Sequence, residues 1–179
     1  EGELLARCAE AIPGGTEAAR RAIAVYRDAR AARGERVDPG DLWFAIESDR
    51  TMRYPAMRLA ALHAAHQPET YAYLFTWLSP AMGGLFGACH ALELPFLFGT
   101  LEHRLIRPFT GKGPAAHGLA GQIQDAWIAF ARTGRPGHAG IGEWPAYDPA
   151  HRRTMILDRQ CRVEAAPREA ERRFWESLP

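Results

Sequence analysis

The chain contains no asparagine, a single lysine at Lys112, three serines and three cysteines among its 179 residues. Each shortage excludes something. Without asparagine there is no N-glycosylation acceptor. The cysteines, Cys8, Cys89 and Cys161, are odd in number and far apart, so neither a disulfide framework nor a C-x-x-C metal knuckle can be drawn, and a reducing, cytoplasmic compartment fits best. No apolar run approaches the roughly 18 residues of a membrane span. The 22 Lys+Arg against 21 Asp+Glu leave a formal charge of +1, too little field for nucleic-acid binding. Ser48, Ser79 and Ser177 all lie outside any G-x-S-x-G, so these residues hold no nucleophile elbow. The start, EGELLARCAEAIPGG, lacks the basic-then-apolar pattern of a secretory signal. It also lacks Met, so Glu1 is read as a cut or processed boundary, and a secretion signal would lie ahead of it. What is present is ordinary: 47% hydrophobic and 24% charged residues suit one folded piece with a core.

Helix signals dominate the pattern. Residues 16–32 carry a candidate cap in Thr16, good helix formers and apolar Ala22, Ile23, Val25 and Tyr26. Asp38-Pro39 opens a second helix, with Leu42, Trp43, Ile46, Met52, Met57, Leu59 and Leu62 at helical spacing and Pro55 predicting a kink before an end near His66. Tyr71 to Leu78 reads as a strand, apolar enough to be buried on both faces of a parallel sheet. It is the only such strand evident, which points to membership in something larger. Residues 79–114 read as a long glycine-rich loop around a short helix candidate from Ala91 to Phe98, and loops of that length are usually functional. His117 to Arg132 forms an amphipathic helix with Leu119, Ile123, Trp127, Ile128 and Phe130 on its stripe. Thr154–Leu157 and Arg162–Glu164 pair as a small hairpin, and Arg168–Ser177 is a short charged helix.

Seven histidines invite a metal or catalytic reading. His63 and His66 lie three apart on a helix without a carboxylate to complete a set. His103, His117, His138 and His151 stand beside polar, Gly or Pro residues in exposed-looking segments. His90 differs, because it sits in an apolar, glycine-bearing loop after the strand, where a lone imidazole is either hydrogen-bonded or functional. His90 and Glu93 share an H-x-x-E spacing, but two ligands are too few for a metal. Cys89 beside His90 reads as a buried thiol rather than half of a Cys/His pair, since such pairs are formed in space and sequence neighbours seldom face each other.

GACHALELPFLFG, residues 87–99, resembles the catalytic-histidine segment of type-B carboxylesterases, the family of bacterial para-nitrobenzyl esterases and cholinesterases. SDRTMRYPAMRLAALHA at 48–64, YAYLFTWLSP at 71–80, IQDAWIAFARTGRP at 123–136 and EWPAYDPAHRRTMIL at 143–157 resemble bacterial members in the same order. The resemblance spans the chain but only about the last third of the family's usual length. It implies an α/β fold class: the C-terminal part of a single α/β-hydrolase domain over residues 1–179, mostly helical, with one buried sheet strand and a small C-terminal β-hairpin. The N-terminal part, with the oxyanion loop and nucleophile elbow, is missing from these residues.

The resemblance implies acyl transfer by a Ser-His-Glu triad acting on a small-molecule carboxylic ester, with no metal and no organic cofactor. His90 takes the place of the triad histidine. Glu1, followed by Gly2, stands at the family's distance for the triad acid. Leu4 and Leu5 fall where members line the substrate gorge, and Cys89 flanks the same space, while Glu93 and Phe98 read as packing residues of the loop. The partner implied is the N-terminal part of the same protein, and an exposed sheet edge along Tyr71 to Leu78 would permit self-association. Two other readings stay open: a non-catalytic cholinesterase-like interaction module, and a small helical binding domain that folds alone.

Overall fold

A computed structural model describes residues 1–179. The chain divides into two compact units, Glu1–Leu59 with Pro167–Pro179, and Ala60–Ala166.

The first unit is helical. It contains α1 (Gly2–Ala11), α2 (Gly15–Ala32), α3 (Pro39–Ser48), the start of α4 (Tyr54–Ala64) and α8 (Glu169–Glu176). Proline stands at the start of α3 as expected, where its missing N–H costs nothing. The interruption anticipated at Pro55 is a wider π-helical turn, Asp49–Arg53, placed just before it. Pro55 cannot donate back to the carbonyl of residue 51, and the ladder slips by one, so that the Tyr54 N–H donates to the Asp49 carbonyl instead. Leu4, Cys8, Ala19, Ala22, Ile23, Tyr26, Leu42, Ile46, Phe174 and Trp175 are buried together as this unit's core. Helix α1 escapes the sequence reading because its apolar stripe is only Leu4, Leu5 and Cys8, too short to establish a period.

A polar network runs through that core. Tyr26, 1% exposed, donates its hydroxyl hydrogen to Asp49 Oδ2 at 2.6 Å and accepts from Trp175 Nε1 at 2.7 Å. Arg53 closes on the other oxygen of Asp49 at 2.7 Å. Burial, and then the charge and hydrogen bond of Asp49, push the Tyr26 phenol far above the usual tyrosine range. This binds α2, the π-helical turn and α8 into one body.

The second unit is built on a three-stranded sheet in the order β1 (Tyr73–Phe75), β2 (Arg153–Leu157), β3 (Arg162–Ala165). β1 and β2 run parallel, with Tyr73 opposite Met155 and Phe75 opposite Leu157. β2 and β3 form the predicted antiparallel hairpin, with Thr154 opposite Glu164. Two expectations change here. The strand read over 71–78 is regular for only three residues and is half-exposed, with Tyr73 42% and Leu78 69% accessible, because β2 is its sole strand neighbour. The buried strand is β2, in which Thr154 to Leu157 are all buried. A second parallel strand was hidden because its run is short and its hairpin turn suggested only local pairing.

The long helix α7 (Pro114–Thr133) packs on α5 (Leu94–Leu97) and is ended by Gly134 at φ +76°. Its buried stripe is Ala116, Leu119, Ala120, Ile123 and Ala126. Ile128 and Phe130, expected on that stripe, are each 47% exposed: Ile128 lies round the cylinder from the 116/119/120/123 line, whereas Phe130 stays on the line but sits in the last turn of the helix, where it meets the edge of Tyr71 with ring centres 5.9 Å apart. No helix in the structure is long and apolar enough to cross a membrane.

Candidate active site around His90

The sequence leading to His90 is pinned at both ends. After β1, Trp77 is 4% exposed, donates Nε1–H to the Thr110 carbonyl at 3.0 Å, and meets the edge of Phe96 with ring centres 5.4 Å apart. The Arg159 guanidinium lies 4.8 Å over the same indole. Thr76 donates its hydroxyl hydrogen to Asp158 Oδ2 at 2.8 Å, tying the strand end to the β2–β3 turn. Beyond His90, Leu92 and Phe96 are 4% and 0% exposed and join the core with Trp77, Leu119 and Ile123. Between these anchors the chain loops through Met82, Gly83, Gly84 and Gly87, all at positive φ, closed by the Ser79 N–H donating to the Gly87 carbonyl at 2.9 Å. Glycine is needed along such a path because a Cβ rarely tolerates that region.

His90 itself is exposed, at the corner of a tight turn in which the Leu92 N–H donates to the Cys89 carbonyl at 3.2 Å. Cys89 is half-buried against the core. Of the other histidines, His63 meets the Thr70 hydroxyl at 2.7 Å and His117 meets Glu102 at 3.0 Å. His138 accepts the Gly140 N–H at Nδ1 and therefore offers Nε2–H to the Gln122 carbonyl at 3.0 Å. His151 lies against Asp148, and His103 accepts the Leu105 N–H. His66 is exposed beyond the end of α4. Geometry thus assigns local structural work to His63, His103, His117, His138 and His151, and leaves the His90 ring open to the outside.

Glu1 caps α1 with its carbonyl, which accepts the Leu5 N–H at 3.0 Å. Its carboxylate accepts from Arg27 Nη2 at 2.8 and 2.9 Å through both oxygens. Arg27 lies on α2, and at a sequence separation of twenty-six no local motif announces the pair. Leu4 is 3% exposed within the helical core, whereas half-buried Leu5 lines an open depression of about 310 Å³ with Glu1, Gly2, Arg20, Ile23, Ala24 and Arg27. Glu1, Leu4 and Leu5 belong to the first unit, and Cys89 and His90 to the second. Glu93 is half-buried and its charge reaches Tyr73, whose phenol is raised first by burial and then by that carboxylate. Phe98, read as a packing residue, is instead 70% exposed: it follows the last turn of α5, where Pro95 and Phe96 already fill the inward face.

The serines are placed elsewhere in the fold. Ser79 is 1% exposed and accepts the Ala81 N–H, Ser177 donates to the Phe174 carbonyl, and Ser48 ends α3. No group of three or more His, Cys, Asp or Glu side chains is gathered as a metal site.

Comparison with known proteins makes the assignment: the chain belongs to the carboxylesterase family, whose sequence profile matches residues 10–175. Para-nitrobenzyl esterase of Bacillus subtilis is 37% identical over 119 residues, covering 66% of this chain and 24% of that protein. Phenmedipham hydrolase of Pseudarthrobacter oxydans is 33% identical over 122 residues, with 65% and 24% covered. Among solved structures, a Geobacillus stearothermophilus carboxylesterase superposes with a TM-score of 0.71 at 31% identity, over 87% of this chain and 31% of that one. A para-nitrobenzyl esterase structure gives 0.70 at 29% identity, over 98% and 33%. The fold is therefore that of the α/β-hydrolase carboxylesterases, and the chain spans about a quarter of the length of the relatives it matches.

Proposed function

We propose that this chain supplies the histidine and the acid of a serine carboxylesterase that hydrolyses small-molecule carboxylic esters. The observation that carries the reading is His90: an exposed imidazole on a rigidly anchored turn, in the segment that resembles the family's catalytic-histidine motif. In this reading His90 takes the proton of a serine hydroxyl as that oxygen attacks the ester carbonyl, then returns it to the departing alcohol. Glu1 is assigned the part of the triad acid, whose work is to fix the tautomer of the base and stabilise the imidazolium. Arg27 engages one lone pair on each Glu1 oxygen, which leaves others able to accept a further hydrogen bond. Leu5, in the depression beside Glu1, and Cys89, half-buried next to His90, are the candidates for contact with substrate, while Leu4 lies within the helical core. The reaction needs no metal or organic cofactor.

The nucleophile and oxyanion donors come from a polypeptide part outside these 179 residues, because Ser48, Ser79 and Ser177 have neither the motif nor the setting of a nucleophile. The 179 residues alone are accordingly inactive. The same outside part would cover the open edge of β1 and the apolar side chains near it. Steady-state hydrolysis of a p-nitrophenyl ester by the polypeptide that joins these residues to a serine-bearing part tests the reading. His90→Ala should lower kcat by at least about a thousandfold, as loss of a triad member does. Turnover unchanged in that variant would remove His90 from the mechanism, and a parent polypeptide without turnover would support a non-catalytic interaction module instead.

A further inference from the structure

The turn that carries His90 has an unusual corner. It runs from Cys89 to Leu92, with His90 at its first central position and Ala91 at its second. Ala91 has φ +62°, while His90 lies outside the left-handed region. That combination defines a type II turn, whose second corner is normally occupied by glycine because a Cβ is strained there. The neighbouring loop reaches positive φ at Gly83, Gly84 and Gly87 and also at Met82, and at this corner too the chain carries a side chain. The strained conformation is held from both sides: Cys89 is packed on the core, Leu92 and Phe96 are buried in it, and the Leu94 N–H donates to the Ala91 carbonyl at 3.2 Å.

We infer that Ala91 is a positioning residue for His90, acting through its left-handed backbone and not through its methyl group. The inference rests on the reading of His90 as the proton-transfer base. Its physical basis is the relation between turn types. A residue that refuses positive φ is accommodated by rotating the peptide plane between residues 90 and 91 by about 180°, which converts type II into type I and carries the ψ of the first corner from about +120° to about −30°. That torsion belongs to His90. Rotamer choice follows the backbone, so the imidazole is re-aimed while Leu92 and Phe96 stay seated. Glycine keeps the type II form without strain, alanine tolerates it, and a β-branched residue at this φ is a true outlier.

The experiment is p-nitrophenyl ester kinetics on the joined polypeptide with four variants. A91V should lower kcat at least tenfold, about 1.4 kcal/mol of transition-state stabilisation, with KM within about twofold. A91G should keep kcat within about twofold and melt no lower than the parent. A166V is the matched control: Ala166 also sits at positive φ, +47°, at the end of the second unit, so valine there imposes comparable strain but leaves kcat within about twofold. H90A separates the inference from the reading beneath it. If H90A retains turnover, the reading of His90 fails; if H90A abolishes turnover while A91V retains it, the role of Ala91 alone is overturned. Should A91V not fold, the intraresidue HN–Hα NOE of residue 91 in the parent protein decides. A strong NOE supports the positive φ, and a weak one overturns the proposal.

Discussion

Replacing Tyr26 by phenylalanine removes one oxygen from the middle of the first unit's polar network, and the structure sets the cost. The hydroxyl donates to the ionised Asp49 at 2.6 Å and accepts from Trp175 at 2.7 Å, at a site 1% exposed. A hydrogen bond to a charged group contributes about 1.5–3 kcal/mol, and leaving the Trp175 N–H unpaired costs about 1–3 kcal/mol. Asp49 keeps Arg53, so the two do not add in full, and a net loss of about 2–4 kcal/mol is expected. For a protein of this size that lowers Tm by about 5–15 °C. A pH dependence follows. The native phenol is held well above the ordinary tyrosine range by burial and by Asp49, whereas in the unfolded chain it ionises near about 10. Above that pH the native state holds a proton that the unfolded state has lost, so Tyr26's contribution is complete below about pH 10 and falls by about 1.4 kcal/mol per pH unit beyond it. Chemical unfolding at pH 8 and pH 11, with parent and Tyr26→Phe compared at each, measures both effects. The gap between them should narrow by about 1.4 kcal/mol at the higher pH. A gap under about 0.5 kcal/mol at pH 8, or one that stays the same at pH 11, would refute the reasoning.

Three further outcomes are expected. Phe96→Ala, at a fully buried ring set edge-on to both Phe75 and Trp77, should destabilise the second unit by about 3–5 kcal/mol and speed amide exchange around Leu92, checked by hydrogen exchange and thermal melting. Asp148 is held below the ordinary carboxylate range, chiefly by the His151 backbone N–H, with burial opposing and the His151 ring assisting. Its contribution is present above pH about 4 and is lost as acid protonates it, so Asp148→Ala should loosen residues 148–152 at neutral pH, and the difference from the parent should shrink as the pH is lowered through the acid range, read by NMR amide shifts. Finally, the 179 residues produced alone should bind a hydrophobic dye and self-associate, because Leu78, Met82, Leu85, Phe98 and Leu105 are each more than half exposed and β1 has one unpaired edge. A dye-silent monomer in sedimentation would contradict this.

What the sequence makes legible follows from how local each signal is. Asp38-Pro39 marks a helix start and Gly134 a helix end through backbone chemistry within two residues, and both stand in the structure. The hairpin of β2 and β3 is legible for the same reason. The partnership of β2 with β1 joins residues some eighty positions apart, and nothing in either run announces it. Exposure misleads where a fold's surface is apolar: Leu78, Ile128 and Phe130 look like core residues and are not. At the site, His90 stands out in sequence because an imidazole in an apolar glycine-rich loop has few ordinary explanations. Ala91 does not, since positive φ at an alanine leaves no compositional trace, and the Glu1–Arg27 pair is likewise visible only in three dimensions.

The most direct test of the central claim is intact-mass spectrometry after treatment with a fluorophosphonate probe, applied to the 179 residues alone, to the polypeptide joining them to the serine-bearing part, and to its His90→Ala variant. The account predicts no adduct on the 179 residues, one adduct on the joined polypeptide at a serine outside them, and loss of labelling with His90→Ala. Labelling of the isolated chain, or undiminished labelling without His90, would contradict it.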